Sequence, residues 1–345
     1  KMYEEDLEDN KQMIDELLRY GNAAQTYLNV ACVQSTKETW NELNKLRLEN
    51  VRQNDLESIA DKISGNIDFE ILVEYLLTDN NMFGKSITPT PISKMISNKG
   101  NSYNPKKVAD LCCGIGNISR FFVYSDVDGY DINSGCIRLA KKLLPNVNFY
   151  NQCIISSDIN KIYDMVIAHI PFGMRIDING KRQLFEILAI EKSLSILKDG
   201  GKLLCVVPQS FLSNNIFQKI RVNIVENHGL DEIVEIPSNT FTHTSLGSSL
   251  IVITKNGKTK KCKSSLYQKE NNFLLNRKEF SRKKLLENWI YLENSKSKSG
   301  VDNFLKTNKI SSEKIKLGDF SEIINGYAPK KEEKKIGDGK FLFVG

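Results

Sequence analysis

Apolar residues recur at helical spacing early in the chain, at Ile14, Leu17 and Leu18 and again at Ile67, Leu72, Tyr75 and Leu76, in a stretch nearly free of Gly and Pro. Residues 1–80 are therefore expected to form a helical N-terminal domain. The segment GKSITPTP, from Gly84 to Pro91, breaks that pattern, and a short amphipathic helix carrying Ile92, Met95 and Ile96 follows it. From Val108 the period changes. VADL, VDGY, YDMVIAH, KLLCVVP, DEIVEIP and SSLIVIT read as short apolar strands, with helical stretches such as Lys181 to Leu197 between them. Alternation of this kind predicts an α/β fold, a doubly wound and mostly parallel sheet with helices on both faces. The Lys181 helix is expected to end on Gly200 and Gly201 as left-handed caps, directly before the strand at Lys202.

Past Lys255 the strand pattern weakens and lysine and asparagine accumulate. Residues 81–260 are thus expected to hold the α/β domain and 261–314 a basic helical and linker region, with SKSKSG at Ser295 to Gly300 as a hinge. A new module is expected over 315–345. It stops at Gly345 just after an apolar strand, which suggests a fragment of a longer protein.

Charge sharpens this division. The net charge is +6, but between Lys255 and Lys284 eleven Lys or Arg residues face only Glu270 and Glu279. Such a segment attracts phosphates; a solvated linker kept soluble by lysine is the plainer reading. No run of about 18 apolar residues and no leader of signal-peptide type occurs in the sequence. Seven scattered cysteines suit a reducing compartment better than a disulfide framework, so a cytoplasmic location and no membrane partner are expected. Three histidines without paired ligand spacing give no expectation of a metal.

The chemistry concentrates in Val108 to Asn133, VADLCCGIGNISRFFVYSDVDGYDIN. An acid, Asp110, ends an apolar strand; Gly114 and Gly116 then let the backbone turn tightly and approach a ligand without a Cβ clash. Asp131 ends the next strand about 20 residues on, the distance at which an acid meets ribose hydroxyls in doubly wound folds. A nucleoside site is the expected meaning, against a merely structural turn. Nicotinamide binding needs a third glycine, and here Arg120 stands near that position. DLCCGIG instead resembles the first motif of S-adenosylmethionine-dependent methyltransferases.

The order of elements resembles the amino-methylating DNA adenine methyltransferases, most closely the modification subunit of type I restriction systems, over most of the chain. The resemblance implies an S-adenosylmethionine cofactor held by Thr88, Pro89, Asp110, Gly114, Gly116 and Asp131. The family's catalytic tetrapeptide, Asn-Pro-Pro-Phe or a relative with Asp or Ser first, falls on His169, Ile170, Pro171 and Phe172. Pro171, Phe172 and the following Gly173 fit; His169 and Ile170 depart. An acid expected near the cofactor adenine falls on Cys153, a second departure. Phe241 resembles an aromatic on the far side of the target base, with a core position as the alternative. The tail, with KLGD at Lys316 to Asp319 and Gly326 to Pro329, resembles the opening of a type I specificity-subunit recognition domain; an unrelated small β module is the alternative.

What this implies chemically is specific. An adenine amino nitrogen has its lone pair delocalised into the ring and attacks only when acceptors hold its hydrogens as the methyl arrives. The family uses the side chain of the first tetrapeptide residue and the next backbone carbonyl. Ile170 keeps that carbonyl, and His169 accepts only through an unprotonated ring nitrogen. Phe172 would stack on the extruded base, or else be a core aromatic at a strand end. The expected function is methylation of adenine in double-stranded DNA, with a specificity or restriction subunit as possible partner. A subunit that binds DNA and cofactor without turnover is the main rival, and methylation of an RNA or protein amide the second.

Overall fold

A computed structural model describes residues 37–39, 41–43, 45–46, 55–64, 67–77, 87–178, 180–241, 247–268, 273–287 and 289. The described residues fall within one compact unit bounded at Leu292. The hinge at 295–300, the module at 315–345, His243 and the helical positions Ile14 to Leu18 lie outside them.

The strands β1 (Lys107–Leu111), β2 (Asp126–Asp131), β3 (Asn148–Asn151), β4 (Tyr163–His169), β7 (Leu197–Pro208), β8 (Gly229–Ile236), β9 (Ser248–Thr254), β10 (Lys261–Gln268) and β11 (Phe273–Ser281) form one sheet, in the order β11-β10-β8-β9-β7-β4-β1-β2-β3. From β3 to β7 every pairing is parallel. β9 runs antiparallel to both β7 and β8, so β8 ends, and β9 begins, at the edge where the parallel strands end. A separate hairpin joins β5 (Arg175–Ile178) and β6 (Lys181–Leu184).

Successive strand residues point to opposite faces, and both faces are buried. Leu111, Val166, Ala168, Leu203 and Cys205 belong to one core, which α5 (Phe185–Ile196) and α6 (Gln218–Asn227) cover with Ala189, Ile190, Leu194, Ile220 and Ile224. Val108, Val127, Met165, Ile167 and Leu204 belong to the other, covered by Ile92, Met95 and Ile96 of α3 (Thr90–Asn101). Further α1 (Leu56–Lys62) and α2 (Phe69–Leu77) pack with α4 (Ser134–Leu143) through Leu56, Leu72, Tyr75, Cys136 and Leu139. Tyr75 and Leu76 are thus buried as their spacing predicted. Among the described residues no helix is long and apolar enough to cross a membrane.

Three expectations need correction. Residues 181–184 form strand β6, and the helix begins only at Phe185. That helix stops at Ile196, because Leu197 already has extended backbone. Gly200, at φ +73°, and Gly201 do not cap it: Gly200 N–H donates to the Lys255 carbonyl and Lys255 N–H to that of Gly201, so both sit in the β7–β9 ladder. Residues 261–268 and 273–281, expected as basic helix and linker, form β10 and β11 and continue the sheet across position 260. The lysines hid a period of two: Lys261 and Lys263 are exposed, while Cys262 and Ser264 between and beside them are buried.

The turn after β1 is held by local sterics. A Cβ at Gly116, φ +81°, would lie 2.8 Å from Phe149 Cζ and 2.9 Å from Leu144 Cδ1. A Cβ at Gly173, φ +71°, would meet nothing within 4 Å. Gly116→Ala is therefore expected to lose about 2–4 kcal/mol, combining backbone strain with overpacking, and Gly173→Ala only the strain, about 1 kcal/mol. Urea unfolding of the two variants beside the wild type checks this; equal losses would contradict the packing argument.

Candidate functional site

The sheet sets out the site as a row along the ends of its parallel strands. Leu111 of β1 lies opposite Tyr130 of β2 and Ala168 of β4, so Asp131 and His169, one position further, stand on either side of the glycine turn. Asn151 of β3 is the register partner of Asp131.

Asp131 is half-buried and organises the turn: its Oδ2 accepts from Gly114 N–H at 2.9 Å and its Oδ1 from Asn133 N–H at 2.8 Å. Burial pushes its carboxyl above the usual range, against the pull of these backbone donors. Gly114 and Cys112 both take positive φ, 56° and 61°. Ile132, beside Asp131, is 73% exposed, an apolar side chain open at the same edge.

Asp110 has a different place. It is 1% exposed, and its Oδ2 accepts from Ser119 Oγ at 2.6 Å, so it braces the turn from behind. Its Oδ1 has no hydrogen-bond partner among the described residues. Burial, opposed by the Ser119 bond, raises its carboxyl from 3.8 to about 7. The folded state holds this proton more tightly than the unfolded chain, so stability is lost as pH rises from about 4 through 7. Asp110→Asn removes that loss: its thermal midpoint relative to the wild type is expected to be higher at pH 8 than at pH 6. A gap independent of pH would contradict a protonated Asp110.

Thr88 and Pro89 lead into α3 and are buried. The Thr88 carbonyl accepts from Asn117 Nδ2 at 2.7 Å, which ties the segment to the glycine turn. Asn117 in turn accepts from Arg120 Nε at 2.8 Å. The Arg120 guanidinium lies over the rings of Phe69 and Phe121, 4.5 and 4.4 Å from their centroids, and pairs with Glu70 of α2. The N-terminal helices thereby anchor the turn.

His169 is the last residue of β4 and half-buried. Its Nδ1 lies 2.7 Å from Thr88 Oγ1. Removal from water pushes the imidazole down to about 4, so the ring is neutral at pH 7. Phe172 stands edge-on to it at 6.2 Å between centroids and Phe241 tilted at 5.5 Å. Both phenylalanines are half-buried and pack on the core below. Ile170 is 2% exposed, its side chain in the opposite core, and Pro171 is exposed. Gly173 N–H donates to Glu186 Oε1 at 2.6 Å, so a carboxylate of α5 that is 1% exposed fixes the turn after the tetrapeptide.

The structure thus brings His169, Phe172, Phe241 and Thr88 together at the end of β4, with Gly114 and Gly116 in the turn after the neighbouring β1 and Asp131 at the end of β2 beyond it. Cys153 lies just past β3 and is half-buried. His228 accepts from Asn256 N–H at the far end of α6, away from this edge. The sequence reading missed Asn117, Glu186 and Ile132. Asn117 follows Gly116 directly and Ile132 follows Asp131, so their places in the motifs were the available signal. Nothing local marks Glu186.

The family model for N-6 DNA Methylase matches residues 159–336 and that for Methyltransferase small domain residues 76–228. The chain is 20% identical to the type I restriction enzyme MpnII methylase subunit of Mycoplasma pneumoniae, over 90% of this chain and 64% of that protein. It is 25% identical to the type II restriction enzyme and methyltransferase RM.BcgI of Heyndrickxia coagulans, over 56% of this chain and 36% of that protein. It therefore spans less than two thirds of the length of either relative. A class I S-adenosylmethionine-dependent methyltransferase structure from Listeria monocytogenes shares its fold, with a TM-score of 0.53 at 17% identity over 64% of this chain and 88% of the other. The sheet carries the S-adenosylmethionine-dependent methyltransferase fold, and the chain belongs to the N-6 DNA methylase family.

Proposed function

We propose that this chain transfers a methyl group from S-adenosylmethionine to the exocyclic amino nitrogen of adenine in double-stranded DNA. The observation that carries the reading is the position of His169, within 6.2 Å of the Phe172 ring and 5.5 Å of the Phe241 ring, at the same end of the sheet as the turn that Gly114 makes against Asp131.

The residues present fit the cofactor. Gly114, at φ +56°, and Gly116, at φ +81°, let the turn fold tightly beside Asp131. Each Asp131 oxygen accepts one backbone N–H and keeps acceptor capacity for a ribose hydroxyl. Ile132 offers an exposed apolar surface beside it for a flat ring. When bound, the cofactor supplies an electrophilic methyl carbon on its sulfonium. Asp110 and Asn117 act on the turn rather than on the ligand, and Thr88 and Pro89 close its other side.

The remaining work falls to the residues around His169. Phe172 and Phe241 would clasp an adenine extruded from the duplex. The Ile170 carbonyl and the bare Nε2 of His169 would accept its two amino hydrogens, so that the nitrogen lone pair attacks as the carbon–sulfur bond breaks. The sulfur keeps the bonding pair, and the surplus amino proton leaves to water. His169 can play this part only with its proton on Nδ1. The exposed lysines of β10 suit a DNA backbone, and residues 315–345 are proposed as the opening of a recognition region, with a specificity or restriction subunit as partner.

A silent, DNA-binding subunit is the second reading, and the histidine in place of an amide favours it. Incubating the protein with mixed-sequence duplex DNA and S-adenosylmethionine labelled in the methyl group separates the two. Label in N6-methyladenine supports transfer; cofactor bound with no label on DNA, together with label gained in His169→Asn, rejects it in favour of the silent subunit.

A further inference from the structure

Thr88 and His169 are 81 positions apart in the chain, yet Thr88 Oγ1 and His169 Nδ1 lie 2.7 Å apart. A hydroxyl has one hydrogen to give, and a neutral imidazole has one protonated nitrogen and one bare one. The contact can therefore be made in two ways, with opposite results at the far side of the ring. If Thr88 donates, Nδ1 is bare and Nε2 carries the hydrogen. If Nδ1 donates, Nε2 presents a lone pair.

The surroundings choose between them. Thr88 is 8% exposed, and among the described residues its hydroxyl bonds only to Nδ1. A buried O–H without an acceptor costs about 1–3 kcal/mol, so in the free protein the Thr88 hydrogen goes to Nδ1. Nε2 is then a donor, the wrong polarity for an amino hydrogen. The backbone does not swing to relieve this, because the Thr88 carbonyl is held by Asn117, itself bonded to Arg120. Only a new acceptor can draw the hydroxyl hydrogen away.

We propose that Thr88 is a positioning residue that makes the polarity of His169 depend on cofactor: an acceptor group of the bound cofactor would accept the Thr88 hydroxyl hydrogen, Thr88 would accept from Nδ1–H, and Nε2 would be left bare. The ring gives up one proton to water at Nε2 and takes one from water at Nδ1, while Thr88 keeps its own hydroxyl hydrogen, so protons balance and no net charge changes. This rests on the cofactor reading of the Thr88–Pro89 segment. Its consequence is that the site holds an amino group only when the methyl donor's place is filled.

The test is nitrogen NMR on protein carrying 15N-labelled histidine, whose ring correlations distinguish a protonated nitrogen from a bare one. The chain has three histidines, and His169 is assigned by the signals missing in His169→Asn. Spectra are taken without ligand and with S-adenosylhomocysteine at a concentration that calorimetry shows to be saturating for each variant. We expect Nε2 protonated in the free protein, Nδ1 protonated with S-adenosylhomocysteine, the same reversal in Thr88→Ser, and none in Thr88→Val. One pattern in both states of the wild type, or a reversal that persists in Thr88→Val, would overturn the proposal. No heat of binding at all would overturn the cofactor reading itself, and this proposal with it.

Discussion

Replacing His169 by alanine is expected to lower methyl transfer to DNA by about 10²–10³-fold, the usual cost of removing one preorganised hydrogen-bonding group at a reacting centre. The fall should appear in kcat more than in cofactor affinity, because the ring faces Phe172 and Phe241 rather than Asp131. His169→Asn supplies an amide oxygen as acceptor and should recover much of the loss. Acid dependence gives an independent check. Burial holds the imidazole near 4, so the bare nitrogen persists well below the 6.5 at which a free histidine protonates. Activity limited by this group should hold as pH falls through 6.5 and decline only toward 4. Stability moves with the same sign: the unfolded chain takes up a proton below 6.5 that the folded ring refuses, so stability falls between 6.5 and about 4. Rates are therefore compared only where circular dichroism is unchanged. Undiminished transfer in His169→Ala would remove histidine from the mechanism, and transfer seen only in His169→Asn would identify the wild type as the silent form.

Asp131→Ala should weaken binding of S-adenosylhomocysteine by about 100-fold, or roughly 3 kcal/mol. Two losses combine. The ribose acceptors go, and Gly114 N–H and Asn133 N–H lose the carboxylate that fixes them. Asp131→Asn keeps the shape but turns an NH2 group toward one of those donors, so it should recover only part of the affinity. Isothermal titration of each variant reads the effect directly. An affinity within threefold of the wild type would mean that another residue meets the ribose.

Sequence alone carried the central sheet because its strands are buried on both faces and read as unbroken apolar runs. β4 and β9 have the limits read from YDMVIAH and SSLIVIT. It failed where a strand has one wet face or lies at an edge: NFYN of β3 has a single apolar alternation, and the lysines of β10 looked like a linker. The site divides similarly. Gly114, Gly116, Asp131 and the Pro171–Phe172 pair stand in short motifs whose spacing is fixed by one turn or one strand end. Asp110 was legible as a residue, but its role as a sealed brace follows from Ser119 closing over it. The contacts that set His169 come from Thr88 and Phe241, on segments far away in the chain, and no local pattern encodes such a meeting.

The reversed strand β9 has a consequence for how such a site can diversify. Because β8 and β9 run in opposite directions and are zipped together by their own ladder, the segment bearing Phe241 joins two strands that hold each other in register whatever lies between them. Its length and composition are free to drift without disturbing strand order. The turn at Gly116 has no such freedom, since Phe149 and Leu144 crowd it. On the proposed reading, one wall of the base pocket is thus a replaceable part and the cofactor floor a fixed one.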